Sequence, residues 1–455
     1  MKKILWFRRD LRVHDSMLLA QEGEVLPLFI FDKHILESLD KNDRRVDFIF
    51  KALIKLKADL KDIGLDLALF YGTPEDVFTY LAKQGFHDVY ASIDYDAYAT
   101  QRDAKVAQIL TFHPLNDTYI FEPNEVLKKN GSPYLVFTPY FLTCKQIYTK
   151  FHALSYTKAS HSLASFTYNA LLSCHNNTIS PLHVSMESIG FKALHVSYPS
   201  ARERLETFAP KLDEYEKNRD YLFLDATSHL SVDLRFGTLS IREVLRYLSY
   251  QKQQGKKTEP FFRQLIFREF YAYLLYHFPS LGWKNYKYAT PIAIQEQYYE
   301  AFCTAQTGYP LIDAAINQLL QTGHMHNRAR MIVGSFFTKH LCLPWQMGEA
   351  FFAKHLLDYD AASNILSWQW CAGTGIDPQP YFRIFNPYTQ AKKFDENVSY
   401  IKHWLPQLSS FSTKELCSED FLAKLALHNY PMPIVRHAQA RQNFLDAFKH
   451  ANTPL

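Results

Sequence analysis

The sequence lacks the features that define several common classes of protein. Its cysteines are few and contain no C-x-x-C pair, which argues against a disulfide framework or a four-cysteine iron–sulfur cluster. No apolar run approaches the roughly 18 residues needed to span a bilayer. Arg8, Arg9 and Asp10 interrupt the apolar start of the chain too early for a signal peptide. These absences predict a cytoplasmic protein with reduced thiols at Cys144, Cys174, Cys303, Cys342, Cys371 and Cys417.

Motifs of hydrolases and metalloenzymes are also missing. The chain has no G-x-S-x-G and no H-E-x-x-H, and no G-x-G-x-x-G follows its first predicted strand. His324 and His326 are two residues apart and therefore face different sides of a helix, which disfavours a zinc site. Neither an activated nucleophile nor a general acid–base pair is evident.

The composition is that of a globular protein of two to three domains. Hydrophobic residues make up 47% of the 455 residues and charged residues 21%, which excludes a disordered chain. Aromatic residues reach 15%, a content that suits stacking or electron transfer although most will lie in the core. The net charge of +4 permits nucleic-acid binding without demanding it.

Hydrophobic patterns divide the chain into three parts. In residues 1–125, short apolar runs at 4–7, 25–31, 67–71, 89–93 and 118–121 alternate with helical periodicity at 44–63 and 74–83. This alternation predicts an α/β domain with a Rossmann-like parallel sheet and helices on both faces. Residues 126–200 are predicted to be an interdomain linker, because they are less regular and because residues 152–195 contain many Ser, Thr, Asn and His. Residues 201–455 are predicted to form an all-α domain.

A polar cluster interrupts an apolar helical pattern at residues 326–330. Asn327, Arg330 and Met331 are three or four residues apart and can share one helix face, whereas Arg328 faces elsewhere. Polar groups inside an apolar pattern suggest that several of them point into a lined cavity. Acids, amides, guanidinium groups and tryptophans so close in sequence suit a polar, aromatic cofactor better than a metal or a nucleophile.

The residues that follow leave two interpretations open. Trp368 and Trp370 lie about 200° apart on a helix and should contact different partners, one of them a buried ring system and the other a substrate. Both can equally be core tryptophans. Asp358 and Asp360 can line the same cavity or can be surface acids near a helix end.

The stretch at residues 307–387 resembles the flavin-binding region of the photolyase/cryptochrome family, and most closely the class I enzymes that repair cyclobutane pyrimidine dimers. The matching pieces are TGYPLIDAA, MHNRARM, SFFTKH, DYDAASN, WQW and TGIDPQPYFRIFNP, followed by KFD and YIKHWLP. The string WFRRDLRVHD after the first predicted strand is also typical of the family.

The resemblance implies non-covalent FAD in the helical domain. It places flavin contacts at Tyr215, Thr227, Ser228, His229, Leu230, Ser231, Phe261, Gln264, Arg268, His324, Asn327, Arg330, Asp358, Tyr359, Asp360, Asn364 and Trp368. Asn364 is expected near the flavin N5, and Arg330 and Asp358 are expected to form an ion pair beside the ring. Trp345 and Trp368 are expected to carry electrons.

The resemblance also implies a substrate, which is UV-damaged DNA with a flipped pyrimidine dimer. Catalytic roles fall on Gln264, Asn327, Met331 and Asn364, and Trp370 is expected to stack on the lesion. Contacts with DNA or lesion are expected at Arg219, Gln264, Phe267, Arg268, Asn327, Arg328, Trp370 and Arg383, with Lys392 and Lys393 as further phosphate candidates. Any one of these cations can equally be a solvated surface charge. The protein is expected to be a monomer, associated with the nucleoid when it is bound to DNA.

The sequence departs from the family pattern in the substrate cavity. Gln264 stands where a Glu that contacts the dimer is usual, and Phe267 stands where a second stacking Trp is usual. Gln264 is common in the branch that repairs (6-4) photoproducts, but that branch has His where this chain has Asn327 and Met331. His324 replaces a Trp.

The electron-transfer and antenna positions depart as well. The outer tryptophan of the family's electron-transfer chain has no counterpart near Ile292, and Tyr288, Tyr298 or Tyr299 are the candidates to replace it. Residues 94–103 lack the Asn-Glu pair expected for a folate antenna, which leaves a folate, a deazaflavin, another antenna or none.

Light-driven repair of cyclobutane pyrimidine dimers is the leading expectation. The alternatives are a cryptochrome-like photoreceptor that binds FAD, or repair of (6-4) photoproducts. Asn364 and Met331 favour repair, whereas Gln264 and Phe267 leave the alternatives open.

Overall fold

The computed structural model describes residues 2–166, 185–194, 196–422 and 430–452. Part of the predicted linker, including Cys174, lies outside the described residues. The chain divides into two compact units. Unit 1 comprises Met1–Tyr134, Tyr140–Leu212 and Ser228–His277, and unit 2 comprises Leu135–Pro139, Asp213–Thr227 and Phe278–Leu455.

Unit 1 contains a parallel sheet. Its strands are β1 (Lys2–Trp6), β2 (Gly23–Asp32), β3 (Ala68–Gly72), β4 (Phe86–Ser92), β5 (Thr111–Leu115) and β6 (His161–Leu163). Their order is β3-β2-β1-β4-β5, and β6 pairs with β2. Val25 to Asp32 of β2 are buried without interruption, as expected for a parallel strand covered on both faces. The predicted α/β fold is confirmed.

The predicted strand at residues 118–121 is wrong, because the fifth strand is β5, which ends at Leu115. Tyr119, Ile120 and Phe121 are all buried, which explains the strand-like apolar run. The backbone N–H groups of Ile120 and Phe121 donate to the carboxylate of Glu269 instead of to a neighbouring strand. A carboxylate therefore satisfies backbone groups that a sheet would otherwise have paired.

The helices of the first half of the chain are α1 (Lys33–Leu36), α2 (Arg44–Lys61), α3 (Pro74–Ala82), α4 (Ala97–Val106), α5 (Phe137–Ile147), α6 (Ala201–Phe208), α7 (Tyr215–Asn218) and α8 (Ser231–Phe236). Those that follow are α9 (Ile241–Gln253), α10 (Glu259–His277), α11 (Glu296–Cys303), α12 (Pro310–Thr322), α13 (Asn327–Lys339), α14 (Trp345–His355) and α15 (Ala361–Ala372). The last are α16 (Pro387–Phe394), α17 (Ser399–Trp404), α18 (Thr413–Leu416), α19 (Glu419–Leu422) and α20 (His437–Asn452). The predicted helices at 44–63 and 74–83 are confirmed as α2 and α3.

The predicted linker at 126–200 contains regular structure, namely α5 and β6. β3 pairs only with Leu28–Asp32 of β2, so the first half of β2 is left with an open edge. β6 fills that edge opposite Gly23, Glu24 and Val25. The open edge explains why a short polar segment becomes a strand.

The compact units group residues differently from the predicted domains, because residues 228–277 belong to unit 1. A buried ionic network accounts for this grouping. Asp117 accepts hydrogen bonds from Arg12 at 2.6 Å and from Arg242 of α9 at 2.5 Å. Arg242 also donates to Asp15 at 3.0 Å. The domain boundaries at 125 and 200 stay a prediction.

Unit 2 is helical around one large apolar core. α13 packs against α12, α14 and α15, and α12 packs against α17. Phe302, Phe336, Phe337, Trp345 and Trp368 are among the buried residues of this core. Within the described part of the chain, every helix is too short or too polar to cross a bilayer.

Candidate functional site

The polar cluster predicted from the sequence lies at the beginning of α13. His326 caps this helix, since its Nδ1 accepts the backbone N–H of Arg328 at 3.1 Å. Asn327 is exposed, and its amide lies 3.7 Å from the sulfur of Met331. Asn327 and Met331 therefore share one face of α13, as their spacing predicts.

Arg330 forms the predicted ion pair with Asp358. Its Nη2 lies 3.0 and 2.9 Å from the two carboxylate oxygens, and its Nε donates to the carbonyl of Met325 at 2.8 Å. The side chain of Asp358 is only 5% exposed, so the carboxylate is shielded from water and depends on its partner. The interpretation of Asp358 as a surface acid is wrong.

Asp360 and Asn364 lie on the first turns of α15. Asp360 caps that helix by accepting the backbone N–H of Ser363 at 3.0 Å. The amide nitrogen of Asn364 donates to the Glu349 carboxylate at 2.9 Å and to the Glu349 carbonyl at 3.1 Å. These two bonds orient the amide so that its oxygen remains as an acceptor for a ring N–H.

Glu349 of α14 is a site residue that the sequence analysis missed. Besides Asn364 it accepts the hydroxyl of Tyr359 at 3.3 Å. Burial raises the pKa of Glu349, while the hydrogen bonds from Asn364 and Tyr359 lower it. An acid on a helix between apolar residues is usually a surface residue, so only the structure reveals this role.

The two tryptophans of α15 have different surroundings, as their spacing predicts. Trp368 is 3% exposed and packs edge-on against Phe337 and Phe352, with ring centroids 5.4 and 4.9 Å apart. Trp370 is only partly buried. Trp368 therefore belongs to the core, whereas part of the Trp370 side chain is accessible to solvent.

Trp345 lies at the start of α14 and is buried. Its indole Nε1 donates to the side chain of Asn285 at 2.8 Å. Gly348, one turn further along, lets the helix backbone approach Trp368, because an added Cβ would lie 2.3 Å from that indole. Among the candidates for an outer electron donor, Tyr288 is exposed, while Tyr298 and Tyr299 pack partly buried against the core.

Basic residues surround a cavity of about 360 Å³ in unit 2. Its lining is Lys217, Asp220, Tyr221, Arg328, Phe385, Gln390, Lys393 and Phe394. Arg328 pairs with Asp220 at 2.5 Å and lies over the ring of Phe394. Asp220 directly follows Arg219 and has the sequence setting of an ordinary surface acid, so the sequence does not predict its pairing with Arg328.

Three other predicted cations also belong to unit 2. The guanidinium of Arg219 lies over the ring of Tyr215, whose pKa is raised by burial. Lys392 and Arg383 are exposed. His324 is partly buried, and Thr227 is partly buried at the end of the 213–227 segment.

The remaining predicted residues belong to unit 1. In the turn before α8, His229 has a φ of 53°, and the backbone N–H of Leu230 donates to Ser228 Oγ at 3.4 Å. Ser231 then begins α8. A residue with positive φ in such a turn lets successive N–H groups converge.

On α10, Phe261, Gln264 and Arg268 share one face by their spacing. Arg268 donates to the carbonyls of Thr118 and Leu234 at 2.9 and 3.1 Å. Gln264 and Phe267 are partly buried. The structure thus gathers one group of predicted residues on α13, α14 and α15 and another on α10 and the turn before α8.

The comparisons identify the family. A family model described as FAD binding domain of DNA photolyase matches residues 261–450, and one described as DNA photolyase matches residues 3–158. A deoxyribodipyrimidine photo-lyase from a Synechococcus strain is 34% identical over 97% of this chain and 95% of its own. The chain belongs to the photolyase/cryptochrome family.

Solved structures of photolyases share the fold along the whole chain. A bacterial class III photolyase from Agrobacterium tumefaciens has a TM-score of 0.84 and 30% identity, and the match covers 99% of this chain and 97% of the other. An archaeal photolyase from Sulfolobus tokodaii, solved with two FAD molecules, has a TM-score of 0.82 and 28% identity, with 99% and 100% covered. Membership of class I within the family stays a prediction.

The side chains of unit 2 suit the FAD that the family's domain binds. A flavin ring presents N–H groups and carbonyl oxygens along one edge. The oxygen of Asn364 can accept from such an N–H, and the guanidinium of Arg330 can donate to a carbonyl. Both groups are held by protein partners, Glu349 and Asp358, and are therefore oriented before a cofactor arrives.

The antenna position of the photolyase family stays open in this chain. Of residues 94–103, those from Ala97 onward lie in α4, with Asp96 as its cap and Gln101 exposed. Asp94 forms an ion pair with Arg9 at 2.7 Å, and Asp103 forms one with Arg8 at 2.5 Å. A folate or a deazaflavin stays a prediction.

Proposed function

We propose that this protein repairs cyclobutane pyrimidine dimers in DNA with the energy of light. The observation that carries the proposal is the 34% identity, along nearly the whole chain, to a relative named deoxyribodipyrimidine photo-lyase. The oriented amide of Asn364 and the Arg330–Asp358 pair support it, since both suit a flavin.

The protein's part in this reaction is to hold and orient. FAD, when bound and reduced, supplies the electron that light drives to the lesion. Arg330, Asp358 and Asn364 would lie beside its ring, residues 227–231 would hold its diphosphate, and Tyr215 and Asp360 would add further contacts. In the same proposal, Trp345 and Trp368 pass electrons to the cofactor site, and Phe261, His324 and Tyr359 complete the contacts.

The lesion is bound by apolar and amide groups. Trp370 stacks on the flipped pyrimidine pair, and Asn327, Met331, Gln264 and Phe267 are the other residues proposed to contact it. Gln264 donates a hydrogen bond to the lesion but cannot supply a proton. Repair therefore proceeds in this protein without a protein acid at that position.

Cations hold the damaged strand. Arg219, Arg328 and Arg383, with Lys392 and Lys393, contact phosphates, an attraction that does not depend on sequence and that salt weakens. The pairing of Arg328 with Asp220 fixes the direction of its guanidinium before DNA arrives. The protein acts on DNA in the cytoplasm, as a monomer.

The test is repair under blue light. Purified protein, reduced with dithionite, is mixed with an oligonucleotide that carries a thymine dimer, and intact thymines are counted by chromatography. A dark sample and an oligonucleotide with a (6-4) photoproduct are run in parallel. We expect light-dependent repair of the dimer alone.

Other results would replace the proposal with a specific alternative. Repair of the (6-4) product alone would show that Gln264 marks the other lesion class. Bound FAD without repair of either lesion would leave the cryptochrome-like photoreceptor.

A further inference from the structure

Lys339, in the last turn of α13, is a buried cation without an anionic partner. Its side chain is 0% exposed, and lysine is almost never fully buried unless it is paired. Within residues 2–166, 185–194, 196–422 and 430–452, no carboxylate lies within ion-pair distance of its ammonium. Its one hydrogen bond there goes to the backbone carbonyl of Arg383, at 3.0 Å.

The groups around Lys339 carry no negative charge near neutral pH. Cys371 of α15 has a pKa raised to about 12 by burial, so it remains a neutral thiol. His340 of α13 has a pKa lowered to about 3 by burial and is neutral, as is His437 of α20, whose pKa is also lowered by burial. Phe444 of α20 presents a ring 5.9 Å away, and the remaining charged neighbour is Arg383 itself.

Burial of the ammonium costs free energy, and no carboxylate of the described residues offsets that cost. Burial lowers the pKa of Lys339 to about 8; the thiol of Cys371 opposes that shift and the charge of Arg383 adds to it. A bare buried cation is usually tolerated where an anionic ligand arrives or where function requires it.

The carbonyl that accepts the hydrogen bond from Lys339 belongs to the loop before α16, and a second residue of α13 also contacts this loop. The backbone N–H of Phe385 donates to Ser335 of α13 at 3.3 Å. Tyr381 stacks on Phe448 of α20, with ring centroids 4.3 Å apart. The side chain of Arg383 is exposed, while its carbonyl is turned inward to the ammonium.

We propose that Lys339 is a positioning residue for DNA binding, whose ammonium fixes the backbone of Arg383 and adds positive charge beneath it. The proposal rests on the proposed function, in which Arg383 contacts a phosphate of the damaged strand. DNA binding and protonation of Lys339 then favour each other, because the charged ammonium attracts the phosphate that Arg383 contacts.

The linkage has a definite sign. A phosphate beside Arg383 raises the pKa of Lys339 in the complex above its value of about 8 in the free protein. Below about pH 8, Lys339 is protonated in both the free protein and the DNA complex, so the affinity for DNA is constant. As the pH rises above about 8, the free protein loses the proton that the complex keeps, so binding takes up a proton and affinity falls.

The experiment compares lysine variants that separate anchoring from charge. Lys339→Gln keeps a donor for the carbonyl but has no charge, and Lys339→Met loses both. Lys414→Met, at an exposed lysine of α18, is the control. Dark affinity for the thymine-dimer oligonucleotide is measured between pH 7 and pH 9.5, and proton uptake is measured by calorimetry in two buffers of different ionisation enthalpy.

We expect the affinity of wild type and of Lys414→Met for the oligonucleotide to fall about fivefold between pH 7 and pH 9.5, which is a typical coupling between two sites. Both proteins should take up a proton when they bind DNA near pH 9. Lys339→Gln should be about fivefold weaker at pH 7 and should show no such loss. Lys339→Met should be weaker than Lys339→Gln at every pH.

Equal pH dependence in wild type and Lys339→Gln would overturn the inference. If the variants do not fold, wild type alone decides, because absence of proton uptake near pH 9 contradicts the linkage. Failure of wild type to repair or to bind the dimer at pH 7 would instead overturn the proposed function, so the two failures can be told apart.

Discussion

At the scale of single residues, buried acids make stability depend on pH. Burial raises the pKa of Glu269 on α10 from 4.5 to about 7, against the lowering effects of Arg268 and of two backbone N–H groups. At Glu269 the folded protein therefore holds a proton that the unfolded chain has lost between about pH 4.5 and 7. The contribution of Glu269 to stability falls as the pH rises through that window and stays low above it.

We predict that Glu269→Gln removes this dependence. The amide oxygen can still accept the N–H of Ile120, which Glu269 accepts at 2.9 Å, but the side chain can no longer ionise. As the pH rises from 5 to 8, the free energy of unfolding of the variant should increase by about 3 kcal/mol relative to that of wild type. The measurement is the urea midpoint of each protein at each pH. Glu259→Gln, at an exposed acid of the same helix, is the control, and parallel curves for wild type and Glu269→Gln would contradict the prediction.

A second residue-scale prediction concerns Glu349. Replacing it with Ala leaves the amide nitrogen of Asn364 without its carboxylate partner, so the amide oxygen is no longer oriented. The repair rate should fall about tenfold, because that factor corresponds to the free energy of about one hydrogen bond. The affinity for DNA in the dark should stay the same. Gln346→Ala, at an exposed position of the same helix, should repair as wild type does, and equal rates in both variants would refute the role of Glu349.

At the scale of elements, close approach between helices α14 and α15 depends on one missing side chain. A Cβ at Gly348 would lie 2.3 Å from the ring of Trp368, and that ring is fixed on other sides by Phe337 and Phe352. We predict that Gly348→Ala costs about 1–3 kcal/mol through overpacking. Gly282→Ala is the control, because an added Cβ there meets nothing within 4 Å. Equal urea midpoints for the two variants would show that Trp368 can move aside.

Element boundaries also show what periodicity can and cannot predict. The spacing of Asn327 and Met331 on α13 was enough to place them on one face, because helix geometry is local. The buried run at 118–121 has the apolar pattern of a strand, but its backbone partner, Glu269, lies about 150 residues away in sequence and cannot be inferred from a local pattern. The strand β6 is not predictable from its own residues either, since only the open edge of β2 explains it.

At the scale of the whole molecule, the cations of unit 2 should act together on DNA. We predict that Arg383→Ala weakens binding equally for all sequences and lowers the slope of log affinity against log salt by about one. Arg202→Ala, at an arginine that pairs with Glu243 in unit 1, should leave the slope unchanged. The measurement is dark binding of the dimer oligonucleotide at four salt concentrations, and an unchanged slope in Arg383→Ala would exclude a phosphate contact there.

The family resemblance predicted part of the side-chain geometry of the candidate site, because its motifs keep their order across long distances in sequence. The ion pair of Arg330 with Asp358 was expected from that resemblance, and its geometry is confirmed. Glu349, Asp220 and Lys339 were not expected, because each contacts a partner whose position only folding reveals. Their types alone, two acids and a lysine, are those of an ordinary protein surface.

The central claim is that light absorbed by reduced FAD drives repair, and an action spectrum tests it most directly. The rate of dimer repair by the reduced protein is measured at a series of wavelengths and compared with the absorption spectrum of the same sample. The account predicts that the two curves coincide, with one added band if an antenna is bound. Repair that proceeds in the dark, or no repair at wavelengths where the reduced protein absorbs, would contradict it.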